Sequence, residues 1–221
     1  MKPLNVVIID YDMSNLFSVK HLCDILGVTC EITNDKKKIL NAGAVILPGV
    51  GAFSDAMGNL EKLDLVYSIH DFIQSGKSFM GVCLGLQLLF TQSDEFGCHK
   101  GLNIIPGVVK KFKTILENGE KVKVPHVGWN RLYQPKSNQN RWQKSPLKNF
   151  KENEFTYFVH SYYVQPKDDR HVLSLTNYED QEFCSSIHAD NIFATQFHPE
   201  KSGENGIKIF SEWLGQIKKS A

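Results

Sequence analysis

Along the first part of the chain, short apolar runs alternate with stretches in which apolar residues return every three or four positions. Residues 4–9, ending at Asp10, form the first run and predict a buried strand. Leu16, Val19, Leu22, Cys23 and Leu26 recur at helical spacing, and Gly27 closes that helix. Val28 to Thr33 and Ala44 to Leu47 predict two more strands, and Leu60 to Ile73 an amphipathic helix. Phe79 to Val82 predicts a further strand and Leu84 to Phe90 a short helix. Strands alternating with helices in this way indicate βαβ units and a mostly parallel sheet, with ligands at the carboxyl ends of the strands.

From Gly101 the pattern changes. Val108 to Phe112, Lys121 to Val124, Phe155 to Val159 and His171 to Leu175 are short strand-like runs separated by polar turns. They predict an antiparallel addition to the parallel core. Residues 135–153, rich in Lys, Asn, Gln and Ser, predict a surface loop with little regular structure. Ile192 to Gln196 reads as another strand and Gly206 to Leu214 as a closing helix. With no internal repeat and no low-complexity linker, residues 1–221 are expected to form one α/β domain: a mostly parallel central sheet flanked by helices, with an added antiparallel section.

Composition narrows the function classes. A chain of 221 residues, 42% of them hydrophobic, supports a sizeable core. A net charge of +1 gives no reason to expect nucleic acid or a membrane surface as partner. Lys36-Lys37-Lys38 reads as a solvated loop or helix start. No apolar stretch approaches the roughly 20 residues of a membrane span, and the N-terminal run is a strand with the wrong flanks for a signal peptide. The five cysteines are odd in number and lack C-x-x-C spacing. No disulfide framework, structural zinc site or other metal centre is expected, and a reducing cytoplasm fits best. Cys23, Cys30 and Cys184 read as small core residues.

Cys83 is different. It stands in Gly81-Val82-Cys83-Leu84-Gly85, at the junction of a strand and a helix. This is the cysteine form of a nucleophile elbow, a sharp turn that exposes one strained side chain above a sheet. Glycines on both sides avoid collisions in the turn, and the following helix start favours thiolate over thiol. A thiolate nucleophile needs a base, and the base an orienting group. In Phe197-His198-Pro199-Glu200, residues two apart on an extended segment share a face, so Glu200 is placed to hold one imidazole nitrogen while the other faces Cys83. Pro48-Gly49-Val50-Gly51 follows a strand and offers backbone N–H groups for an oxyanion, with Leu84 N–H as the second donor.

Pro48-Gly49-Val50-Gly51, Gly81-Val82-Cys83-Leu84-Gly85-Leu86-Gln87 and Phe197-His198-Pro199-Glu200 occur in the order seen in class I (triad-type) glutamine amidotransferases, which the chain resembles over essentially its whole length. Pro125-His126-Val127-Gly128-Trp129-Asn130, Tyr157-Phe158-Val159-His160-Ser161-Tyr162 and Asp10-Tyr11-Asp12-Met13-Ser14-Asn15-Leu16 are similar to blocks in the glutaminase subunits of imidazole glycerol phosphate synthases. The resemblance implies a Cys83–His198–Glu200 triad that hydrolyses glutamine without a cofactor. Gly51 and Leu84 would supply the oxyanion donors, and Gln87, Glu95, Ser161 and Tyr162 would contact the substrate.

It further implies a heterodimer in which ammonia passes to a cyclase subunit with a (β/α)8 barrel. Asn15, His126, Trp129, Asn130, Tyr157 and Lys201 would then lie at the docking face. Trp129 is either such an interface aromatic or a core tryptophan between strands. Asp12 and Ser14 stand where small residues are expected, which leaves a second acceptor open, a sugar amidotransferase of surface-polysaccharide synthesis. A cysteine hydrolase or peptidase of the same architecture is the alternative from another class; the Pro125–Asn130 block and Gln87 argue against it, since a peptidase needs neither.

Overall fold

A computed structural model describes residues 4–136 and 140–220, the last three of them for their backbone alone. The apolar runs form β1 (Val6–Ile9), β2 (Cys30–Thr33), β3 (Ala44–Gly49) and β4 (Ser78–Cys83). Between them lie α1 (Leu16–Ile25), α2 (Lys36–Asn41), α3 (Phe53–Lys62) and α4 (Val66–Gln74). A short α5 (Leu84–Leu88) leads into β5 (Phe90–Ser93), β6 (His99–Lys100), β7 (Ile105–Lys111), β8 (His126–Arg131) and β9 (Phe155–His160). Then come β10 (Tyr162–Pro166), β11 (Val172–Tyr178), β12 (Gln181–Ala189), β13 (Ile192–Thr195) and the closing α6 (Gly203–Ser220).

The parallel strands β2-β1-β3-β4-β13 form the centre of the main sheet. β12, β10, β7, β5 and β6 continue it, antiparallel except between β7 and β5, and β11 pairs with β12. β8 and β9 make a separate antiparallel hairpin. Successive strand residues point to opposite faces. Val7, Ile9, Val45, Leu47 and Phe79 therefore meet α3 and α4, while Val6, Ile8, Ala44, Ile46, Met80 and Val82 meet α1 and α6. Covered on both faces, the central strands need apolar residues at nearly every position, which is why they read as continuous runs.

Four expectations change. The helix expected over Leu60 to Ile73 is two helices, α3 and α4, broken at Asp64, whose φ is 52°. The apolar spacing continues through the break and hides it. Lys121 to Val124 is not a strand: Lys121 makes only an isolated bridge to Ile115, and the strand begins at His126. The helix expected to reach Phe90 stops at Leu88, and Phe90 opens β5.

The fourth change concerns residues 135–153, of which 137–139 lie outside the described residues. Around a 3₁₀ turn at Arg141–Lys144, Trp142, Leu147 and Phe150 are buried in the same core as α6. The Trp142 Nε1–H donates to the Leu173 carbonyl at 2.7 Å, so the indole is buried with its polar atom satisfied. Three large apolar side chains among many polar ones are enough to pin the segment down.

Trp142→Ala is expected to lose roughly 3–5 kcal/mol of stability, the usual cost of a buried large-to-small change. Urea unfolding measures this; a surface loop would give a change within about 0.5 kcal/mol.

Candidate active site

β4 ends at Cys83 with φ 56° and ψ −105°, a backbone conformation that side chains with a Cβ avoid. Glycine is required beside it: a Cβ on Gly85 would overlap the Leu47 carbonyl oxygen, and one on Gly81 would lie 2.9 Å from the carbonyl oxygen of Gly85. In register, Gly49 of β3 lies beside Cys83, and Thr195 of β13 beside Val82. The carboxyl ends of three neighbouring parallel strands thus bring the Val50–Gly51 loop to one side of Cys83 and the Gln196–Glu200 segment to the other.

The His198 Nδ1 and Glu200 Oε1 atoms are 2.6 Å apart, and both side chains are buried. Glu200 reaches His198 from a 3₁₀ turn (Pro199–Lys201) and not from an extended segment. Asn15 Nδ2 donates to the same Oε1 at 2.7 Å. Asn15 precedes α1 with φ 86°, a left-handed turn from which its half-buried amide reaches Glu200.

Burial alone would push the His198 imidazole down. The charge of Cys83, hydrogen bonding with it and the Glu200 carboxylate outweigh that and raise His198 to about 10. His198 Nε2 makes no well-aligned hydrogen bond, so Cys83 acts on it by charge first. Burial pushes Glu200 up, but its bonds to His198 and Asn15 hold it below the usual carboxylate range.

A cavity of about 300 Å³ opens beside Cys83. Its lining brings together Gly51, Leu84, Gln87, Glu95, Ser161 and Tyr162, all singled out in the sequence, with His160 added. Larger clefts, of about 320, 560, 810 and 890 Å³, lie elsewhere and contain neither Cys83 nor His198. Gln87 Nε2 donates to the Tyr162 carbonyl and to Gln196 Oε1, both at 3.0 Å, so its amide nitrogen is committed to the protein. Gln196 Nε2 in turn lies 3.6 Å from Cys83 Sγ. Sequence reasoning passed over Gln196, although it stands two residues before His198, the spacing that was used for Glu200. Among the described residues, no three His, Cys, Asp or Glu side chains cluster as metal ligands would.

The β8–β9 hairpin separates the other expected docking residues into two faces. Trp129 is 54% exposed and rests edge-on against its cross-strand partner Tyr157, with ring centroids 5.9 Å apart; it is no core tryptophan. Lys201 is also exposed. His126 is only 2% exposed, stacked on Tyr178 and Phe158, and therefore does not lie on the surface. Strand alternation forces this, since His126 and Trp129 are an odd number of residues apart.

Inside the hairpin, His160 Nδ1 lies 2.8 Å from the Tyr162 carbonyl and must donate to it. Its Nε2 then accepts from His126 Nδ1 at 3.1 Å, and His126 Nε2 accepts from Asn130 Nδ2 at 3.3 Å. The same Asn130 nitrogen donates to the Asn177 carbonyl, which makes Asn130 an internal tie. Burial lowers His126 to about 4 and His160 to about 3, so both are neutral.

The fold and this site define a class. The chain belongs to the class-I glutamine amidotransferases: the sequence pattern described as "Glutamine amidotransferase class-I" matches residues 7–215. Within the class it belongs to the family of "Imidazole glycerol phosphate synthase subunit HisH". It is 45% identical to that protein of Aquifex aeolicus, over 98% of this chain and 99% of the relative. It is 44% identical to that of Syntrophotalea carbinolica, over 94% of this chain and 98% of the relative. Among solved structures, PurLQS of Thermotoga maritima shares the fold, with a TM-score of 0.69 at 22% identity over 98% of this chain and all of that one.

Asn15→Ala is expected to lower glutamine turnover roughly tenfold, the worth of one hydrogen bond to a charged group, in a steady-state glutaminase assay. The raised His198 also makes stability depend on pH. Its contribution is complete below the ordinary value of 6.5 and is lost as pH rises through about 10. The stability difference between wild type and His198→Asn, followed by denaturant unfolding, should shrink over that window.

Proposed function

We propose that the cavity beside Cys83 receives the side-chain amide of glutamine, and that the chain is the glutaminase subunit of an imidazole glycerol phosphate synthase. The buried His198–Glu200 pair beside the strained Cys83 carries this reading. Full-length relatives with that name, at 44 and 45% identity, support the pathway.

In the proposed reaction the Cys83 thiolate attacks the amide carbon, and Gly51 and Leu84 N–H groups receive the charge that develops on oxygen. The C–N bond breaks as the His198 imidazolium gives its proton to the departing ammonia. A γ-glutamyl thioester stays on Cys83. His198 then deprotonates a water, which attacks the thioester and releases glutamate. Glu200, steadied by Asn15, keeps the imidazole oriented throughout. Glu95 takes the α-ammonium, Ser161 and Tyr162 offer backbone contacts, and Gln87 holds Tyr162 and Gln196 in place. These steps call on no cofactor.

Ammonia is useful only if it reaches a second site before water protonates it. The acceptor in this reading is a cyclase subunit with a (β/α)8 barrel, docked in a heterodimer against Trp129, Tyr157 and Lys201. An exposed tryptophan backed by a tyrosine is the kind of anchor such interfaces use. The chain acts as one domain, and its five unpaired cysteines suit the cytoplasm. Among the described residues no helix is long and apolar enough to cross a membrane.

Cys83→Ala should reduce glutamate release to background in a coupled glutaminase assay. Wild-type turnover should rise when the cyclase subunit is added. Equal rates with and without it would count against docking as the trigger, and peptide hydrolysis without glutaminase activity would defeat the whole reading.

A further inference from the structure

Glu95, at the tip of the β5–β6 hairpin, is 9% exposed and forms part of the cavity wall. Its Oε2 accepts a 2.7 Å hydrogen bond from the backbone N–H of Phe53, the first residue of α3. The first N–H groups of any helix lack partners within it. Here Ala52 holds the N-cap position, with extended φ/ψ of −83° and 142° but no side chain able to cap. Glu95 supplies, from another element, an acceptor for the first of these N–H groups.

The location matters because α3 begins two residues after Gly51. The Pro48–Gly51 loop is tied at its entry by the Tyr11 hydroxyl, which donates to the Pro48 carbonyl at 2.6 Å. At its exit it is tied by Glu95. Gly51 itself has φ 128°, so the loop depends on what holds its two ends. Glu95 is fixed in turn, its own N–H donating to Ser93 Oγ at 3.2 Å.

We infer that Glu95 is a positioning residue for the Pro48–Gly51 loop, in addition to receiving the α-ammonium of glutamine. This rests on the glutaminase reading above. An ionised carboxylate has about four acceptor sites, so the bond from Phe53 leaves room for the ammonium. One group then references both ends of the substrate. Its charge meets the amino end, and through α3 it sets the loop that faces the amide.

The test uses the complex of this chain with its cyclase subunit and compares Glu95→Gln with Glu95→Ala. The amide oxygen of Gln still accepts from Phe53 N–H, whereas Ala does not. The substrates are glutamine and glutaramate, which is glutamine without its α-amino group. Both variants should raise KM for glutamine about tenfold or more, since both lose the charge. Only Glu95→Ala should also lose kcat, running about tenfold slower than Glu95→Gln at saturating glutamine and on glutaramate.

Equal kcat for the two single variants overturns the inference. Should Glu95→Ala not fold, Glu95→Met, similar in length but with no oxygen to accept from Phe53 N–H, takes its place: a kcat about tenfold below that of Glu95→Gln supports the inference, and an equal kcat overturns it. Failure of the underlying reading is distinguishable, because wild type would then hydrolyse no glutamine at all.

Discussion

The backbone of α5 lies so close to the Leu47 carbonyl that no side chain fits at Gly85, and this contact decides where Cys83 stands. A cysteine at φ 56° and ψ −105° carries strain of order 1–3 kcal/mol. The strain persists because β4 is paired on both sides, with β3 and β13, and cannot relax without disturbing the centre of the sheet. The same pairing brings the two other parts of the site alongside, since the loop after β3 and the segment after β13 begin level with the turn. Packing at one glycine therefore sets the geometry of groups far apart in the chain.

Electrostatics then acts within that geometry. Removing His198 from water disfavours its charge, and an isolated buried imidazolium would shed its proton. It is retained because Cys83 and Glu200 approach from opposite ends of the ring, and Asn15 neutralises part of the carboxylate's remaining demand. A buried ion pair adds little net stability compared with apolar packing, while loss of one partner is costly. The arrangement is thus better understood as a preset protonation state than as a device for holding the fold together.

Much of this was legible in the sequence where a single rule governs. Fully buried strands read as apolar runs, and glycines bracketing Cys83 marked the elbow because sterics allow nothing else there. The His198–Glu200 pair followed from residue types two positions apart. What escaped was decided by contacts between distant segments. Asp64 breaks a helix whose apolar spacing never falters. Trp142, Leu147 and Phe150 anchor a stretch whose average composition is that of a loop. His126 was assigned to a surface from its motif, but strand alternation turns it inward. Gln196 lay on the correct face and went unnoticed beside a more reactive neighbour.

The histidine pair inside the β8–β9 hairpin has a chemical consequence of its own. Each of its protons is assigned, with the Tyr162 carbonyl at one end and Asn130 at the other, and neither ring gains a proton until pH falls to about 4. One wall of the cavity is therefore electrically silent across the range in which His198 does its work. Ammonia born beside such a wall meets no second imidazolium to convert it to ammonium, and it leaves as the free base that a nucleophilic amine must be.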